Sequence, residues 1–265
     1  TQLAISRATM STHHRALRNG LVGRGGAGSG GGAPSTRHGG RDSVPLCRPG
    51  GGGGGGSDGM GAAMLARREH AVMSATPLSR FPVPDLAELP DDVRTRIETV
   101  QAKSGFVPNV FLALAHRPDE WRAFFAYHDA LMERDGGLTK AEREMIVVAT
   151  SAANDCLYCV VAHGAILRIR AKSPTIADEI ATNWRQAAIT DRQRAMLAFA
   201  VKLARTPELV DAEDLDALRH DGFSDDEIWD IGAITGLFAL SNRLAHLSAM
   251  QPNAEFFLMG RIPKG

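Results

Sequence analysis

Cys156-Leu157-Tyr158-Cys159 sets two thiols three residues apart, with His163 four residues beyond the second and Glu144 twelve before the first. On a helix a three-residue step leaves positions about 60° apart, and a four-residue step rises about 6 Å, so both cysteines and His163 share one stripe. Sulfurs so placed are close enough to form a disulfide. A thiol attacks only as its thiolate, and a nearby imidazole or helix N-terminus lowers its pKa. A thiolate that attacks a peroxide oxygen becomes a sulfenic acid, which a neighbouring thiol traps as a disulfide before further oxidation. Two cysteines at this spacing can complete that cycle within one chain.

The same residues admit plainer roles. Cysteines three apart on a buried helix can be small core side chains. C-x-x-C-x-x-x-H also offers three ligands of types suited to zinc, without an obvious fourth nearby or a second knuckle. Glu144 lies between Ala141 and Val148 at spacings of three and four, an apolar-leaning stripe where most glutamates turn to solvent. Turned inward, its carboxylate would hold His163 and pass protons to and from sulfur. If Asp155 caps the helix, Cys156 lies in its first turn and the dipole favours Cys156 as the thiolate. Nearness to His163, and the negative charge of Asp155 beside Cys156, favour Cys159 instead.

Helical periodicity holds in almost every segment after residue 84, which predicts an all-α body. Pro90 and Gly105 bracket a helix from Asp91 to Lys103, Pro108 opens one over Asn109 to His116, and Pro118 opens another that ends at Asp135-Gly136-Gly137. Trp121, Phe124, Phe125 and Leu131 supply the buried face of this last helix. Thr139-Lys140-Ala141-Glu142 reads as a capping box for a helix running to about Ala153. A second helix, about 156–170, carries the cysteines, and others follow at about 174–184, 191–205, 212–220 and 225–249. Thr190 and Ser224 are candidate N-caps. Leu138 to Ile146 echoes Ile189 to Leu197, with Ala195 where Glu144 stands, so a scaffold repeats without its chemistry.

Composition separates this body from what precedes it. Of 28 glycines, 19 lie in the first 61 residues, including the run Gly50 to Gly56. So little apolar surface cannot offset chain entropy, and residues 1–74 read as a disordered tail, expected to lie upstream of the true start, with Met73 the best-placed initiator. Residues 75–265 then form one domain with ample core. Nine Arg against Asp42, Asp58 and Glu69 put the tail at about +6 and the body at about −6. The longest apolar stretch, Ile231 to Leu240, is too short for a membrane span, which needs about 20 residues. A close cysteine pair with Cys47 stranded in the tail fits a cytoplasmic protein better than a secreted disulfide framework. The glycine run precedes no strand–helix unit, so it is no phosphate loop, and no metal, flavin or nicotinamide site is expected. Neither nucleic acid nor membrane is expected as a partner of the body.

The pattern Glu144-x11-Cys156-x2-Cys159-x3-His163 resembles the active-site motif of the alkylhydroperoxidase D family, part of the all-helical carboxymuconolactone decarboxylase-like superfamily. Ser151 to Cys159 matches the motif core. Gly105 to Phe111 and Ser241-Asn242-Arg243-Leu244-Ala245 resemble the subgroup of uncharacterised peroxidase-related enzymes, and the match covers about residues 80–261. The resemblance implies a proton relay through Glu144 and His163 to a peroxidatic Cys159, with Cys156 as resolving thiol. It also implies a hydroperoxide substrate, an external thiol or dithiol reductant and a homo-oligomer. Well-studied members carry a histidine where this chain has Tyr158, a phenol with a reference pKa near about 10 that donates a hydrogen bond but accepts protons poorly. Tyr158 is therefore a candidate relay or pocket residue. A decarboxylase on the same scaffold, a thiol redox sensor and a zinc-stabilised interaction module remain the alternatives.

Overall fold

The computed structural model describes residues 77–261, in which ten α-helices and two single 3-10 turns occur and no strand. The glycine-rich segment read from composition as a tail lies outside the described residues. The helices are α1 Asp91–Ser104, α2 Asn109–Ala113, α3 Pro118–Met132, α4 Lys140–Ala153 and α5 Leu157–Ala171. They continue with α6 Ile176–Asn183, α7 Asp191–Arg205, α8 Ala212–His220, α9 Asp225–Ser248 and α10 Ala254–Leu258. Among the described residues, no helix is long and apolar enough to cross a membrane.

Local chemistry sets the boundaries. Gly105 ends α1 at φ 84, a left-handed cap that costs glycine nothing. The helix expected over 109–116 stops at Ala113. Pro118 at the first position of α3 bars Arg117 from helical geometry, and Arg117 sits at φ −128, ψ 77. Capping boxes open α4, α7, α8 and α9 at Thr139, Thr190, Asp211 and Ser224. Each satisfies amides that a helix start leaves unpaired. α10 had no clear periodicity to announce it, being five residues long.

α4 lies at the centre. Every residue from Glu142 to Ser151 is buried, and the helix packs against α5, α6, α7 and α9. A helix buried all round has no face on which a charge can reach water. Its charged side chains therefore carry partners: Arg192 for Glu142, Asp230 for Arg143, and His163 with Arg170 for Glu144. The internal repeat extends to one of them. Arg143 donates to the carbonyls of Leu138 and Gly136, and Arg194 of α7 donates to those of Ile189 and Ala187 at the same offsets.

Candidate active site

The cysteines sit where α4 turns into α5. Ser151 O accepts the Cys156 N–H at 2.9 Å, and the chain reaches that position by turning Asp155 into the left-handed region at φ 53. Aspartate is among the few residues that tolerate this conformation. Cys156 itself, in extended geometry at φ −84 and ψ 94, occupies the N-cap position of α5, with Cys159 in the first turn. Asp155, expected to cap the helix, falls one place outside it. Both cysteines are free thiols and each is 1% exposed.

Their acidities are linked. Hydrogen bonding from the Cys159 thiol brings Cys156 down to about 7, against the opposing effect of burial and with help from the Cys159 amide and the charges of His246 and His163. The same thiol–thiol hydrogen bond, together with burial, pushes Cys159 up. The pair loses its first proton as a unit, with the anion centred on Cys156. This reverses the ranking expected from the sequence. Asp155 is exposed, so water screens its charge from Cys156, while the Cys159 donor lies directly beside it.

One end of α9 braces this corner. Asn154 Nδ2 donates to Asn242 Oδ1 at 2.9 Å, Asn242 Nδ2 donates to Ser151 Oγ at 3.0 Å, and His246 Nε2 lies 2.9 Å from Asn154 O. Ser241 Oγ is 3.8 Å from Cys159 Sγ.

Glu144 turns inward and is 2% exposed. Its Oε2 is 2.8 Å from His163 Nδ1. A carboxylate accepts, so Nδ1 carries the hydrogen of this contact and Nε2 is left free to take up and give a proton. Arg170 stands on the other side of Glu144, with Nη1 3.2 Å from Oε1. That Nη1 is buried and makes no hydrogen bond, so the guanidinium acts on Glu144 by its charge. Its Nη2 donates to Glu133 at 2.6 Å. The Phe238 ring meets His163 edge to face at 4.6 Å.

Tyr158 belongs to the packing around the cysteines. Its hydroxyl accepts the Val110 N–H at 3.1 Å, tying α5 to α2, and burial pushes its pKa up. That makes it a weaker proton carrier than free tyrosine. His128, not anticipated from the sequence, lies 6.5 Å from His163 between ring centroids. A signal for it exists: Trp121, Phe125, His128 and Met132 recur at helical spacing on the inner face of α3. Among the described residues, no group of three or more His, Cys, Asp or Glu side chains is arranged to hold a metal ion.

The arrangement joins a dithiol holding one ionisable proton near neutrality to an imidazole whose tautomer is set by a buried carboxylate. Such a set can transfer electrons from sulfur and protons from nitrogen.

Comparison with known proteins bears on which reaction this serves. The carboxymuconolactone decarboxylase family model matches residues 118–205. The chain is similar to a crystal structure of an alkylhydroperoxidase AhpD core, an uncharacterised peroxidase-related protein from Ralstonia eutropha JMP134. The two share 67% identity and a TM-score of 0.71, over 72% of this chain and 100% of the other. An uncharacterised peroxidase-related protein from Silicibacter sp. TM1040 shares 39% identity and a TM-score of 0.68, over 72% and 100% of the two chains. The debrominase Bmp8 is similar in fold, at 20% identity and a TM-score of 0.57, over 70% and 96% of the chains. No curated protein matches the chain.

Proposed function

Because the chain belongs to the carboxymuconolactone decarboxylase-like superfamily, grouping there with alkylhydroperoxidase D-like peroxidase-related proteins, we propose that it is a thiol-dependent peroxidase that reduces organic hydroperoxides. The observation that carries this reading is the 2.8 Å contact of His163 with buried Glu144, on the helix whose N-terminus holds a dithiol lowered to about 7.

The cycle balances as follows. A proton crosses the thiol–thiol hydrogen bond to Cys156, and the Cys159 sulfur attacks a peroxide oxygen. The O–O bond breaks, Cys159 becomes a sulfenic acid, and the leaving alkoxide takes a proton from His163. The Cys156 thiol then displaces the sulfenic hydroxyl, forming a disulfide and water. In sum, the dithiol monoanion, a hydroperoxide and one proton give a disulfide, an alcohol and water. An external dithiol then returns the enzyme to its reduced form by exchange.

The attack is assigned to Cys159 on geometry, although the resting anion centres on Cys156. Cys159 stands one helical turn, about 6 Å along the axis, from the imidazole that protonates the leaving group, whereas Cys156 is two turns away. Glu144 keeps His163 oriented and stabilises its cation. Tyr158 holds the cysteine turn against α2 and takes no part in the relay.

The reading extends to a homo-oligomer working in the cytoplasm, where thiols are kept reduced. Trp229, at 75% exposed, with Leu240 and Leu247 supplies an uncovered apolar side of α9 suited to subunit contact.

Purified protein supplied with a dithiol is expected to consume an organic hydroperoxide catalytically. Cys159→Ser should abolish consumption, and Cys156→Ser should stop after a single equivalent with a sulfenic acid on Cys159. Unchanged consumption in Cys159→Ser would sink the assignment. The family description also supports a decarboxylase-type reaction, which needs no cysteine pair. Turnover of a carboxylic acid that survives loss of both cysteines would identify it. Redox cycling without turnover would mark a sensor, and stoichiometric zinc with no free thiols an interaction module.

A further inference from the structure

The proposed cycle draws one proton from solvent for each peroxide reduced, because the resting dithiol has already lost one. His163 is poorly placed to collect it. Its Nδ1 is closed by Glu144 and its side chain is only 14% exposed.

A second imidazole neighbours His163 and is the more exposed of the two. His128 of α3 is 24% exposed, and its ring lies 6.5 Å from that of His163 at an interplanar angle of 48°. Phe238 of α9 touches both rings, with centroids 4.6 Å from His163 and 6.4 Å from His128. The two histidines have the same construction. His128 Nδ1 is 3.1 Å from Asp129 Oδ1, as His163 Nδ1 is 2.8 Å from Glu144 Oε2. Asp129 is itself held by Arg96 of α1, whose Nη2 donates to Oδ2 at 2.8 Å. A carboxylate on each Nδ1 leaves each Nε2 free to exchange protons. With centroids 6.5 Å apart the two rings do not hydrogen-bond to each other directly, so a proton passes between them through water.

We propose that His128 is the outer member of a two-histidine proton path, collecting protons from solvent and passing them to His163. The reaction it serves rests on the peroxidase reading. His128 acts through His163 and is a positioning residue for the proton, touching neither peroxide nor sulfur.

The charges around His128 fit that task. It faces Asp129 on its own helix, Arg96 of α1 through that aspartate, Glu144 of α4 and His163 of α5; α9 contributes the uncharged Phe238. Burial, then the charge of His163, holds His128 below the ordinary imidazole value, with Asp129 and Glu144 opposing. A lowered imidazole is neutral over more of the pH range and so is free to accept the next proton. When His163 gives its proton to the alkoxide, the repulsion ceases and His128 gains affinity for a proton that it can then pass inward.

The test uses the full chain with peroxide and dithiol. In His128→Gln, kcat is expected to fall about a hundredfold, the lower end of the range for a proton-transfer residue, with KM unchanged. The solvent deuterium effect on kcat should rise in the same variant. In His128→Ala, imidazole added to the buffer should restore the rate. A rate loss with neither imidazole rescue nor a changed deuterium effect would mean a packing role and overturn the proposal, as would unchanged kinetics. If wild type consumes no peroxide, the peroxidase reading fails, and the coupling is decided by nuclear magnetic resonance titration of His128. Its midpoint should rise in His163→Gln. An unmoved midpoint overturns the path whatever the enzyme's substrate.

Discussion

Between them the two sulfurs hold one readily lost proton, and the position of that proton follows from a single hydrogen bond. The Cys159 thiol donates toward Cys156 and lowers it to about 7, and the same contact raises Cys159. A group lowered in this way gains its reactive anion as pH rises through the lowered value rather than through the ordinary thiol range. Alkylation of Cys156 by iodoacetamide should therefore accelerate with a midpoint near 7 in the wild type. In Cys159→Ala the donor is gone, and the midpoint should move up toward that of an ordinary cysteine. Mass-spectrometric site assignment across a pH series checks both. An unchanged midpoint in Cys159→Ala would show that the helix terminus and nearby histidines, rather than the partner thiol, set the acidity.

The elements act on these residues mainly through the α4–α5 corner. Cys156 keeps its N-cap position because Asp155 adopts a left-handed turn and Asn242 of α9 joins Ser151 to Asn154 through two side-chain hydrogen bonds. Asn242→Ala leaves both partners without that connection, and a buried polar group so stranded costs about 1–3 kcal/mol. The variant should lose stability of that order in denaturant titration. Amide hydrogen exchange at Asn154 to Cys156 should also speed up more than exchange in α7. Uniform exchange across the two regions would show that the corner is held by packing alone. The heptad-like recurrence of Trp121, Phe125, His128 and Met132 on α3 has a similar consequence, since it delivers an imidazole to the site from a helix remote in sequence from the cysteines.

Across the molecule, α4 ties its surroundings together by burying charge as well as apolar surface. Arg143 is 0% exposed, its Nη2 is 3.0 Å from Asp230 Oδ2 of α9, and it donates to Leu131 O at the end of α3 at 2.7 Å. One side chain thus links three helices. Removing one member of a buried pair strands the other, at a cost of about 3–5 kcal/mol. Arg143→Met should lower unfolding stability by up to that amount in denaturant titration, and a loss below about 1 kcal/mol, as for a surface pair, would show that Arg134, whose Nη1 is already 3.2 Å from Asp230 Oδ1, suffices to hold the aspartate. Glu144 follows Arg143 directly, so the same central helix carries both a structural ion pair and the candidate relay.

The sequence by itself determined most of the architecture that positions the site. Prolines, left-handed glycines and capping boxes are local devices whose energetics depend on neighbours within a turn. This is why Thr139, Thr190 and Ser224 open helices where the pattern predicts. The superfamily was legible for a related reason, because Glu144, Cys156, Cys159 and His163 keep a fixed spacing along two consecutive helices. Only the tertiary structure decided what those residues face. Glu144 shares a stripe with apolar residues, and periodicity alone would turn it to solvent; α4 has no solvent side, so the carboxylate meets His163. Asp155 weighed against Cys156 as thiolate until its exposure and the position of the Cys159 thiol reversed the ranking. His128 and Asn242 arrive from distant parts of the chain, while Arg170 stands two turns beyond His163 on α5. Electrostatics falls off with distance in space, and distance along the sequence says little about it once helices pack.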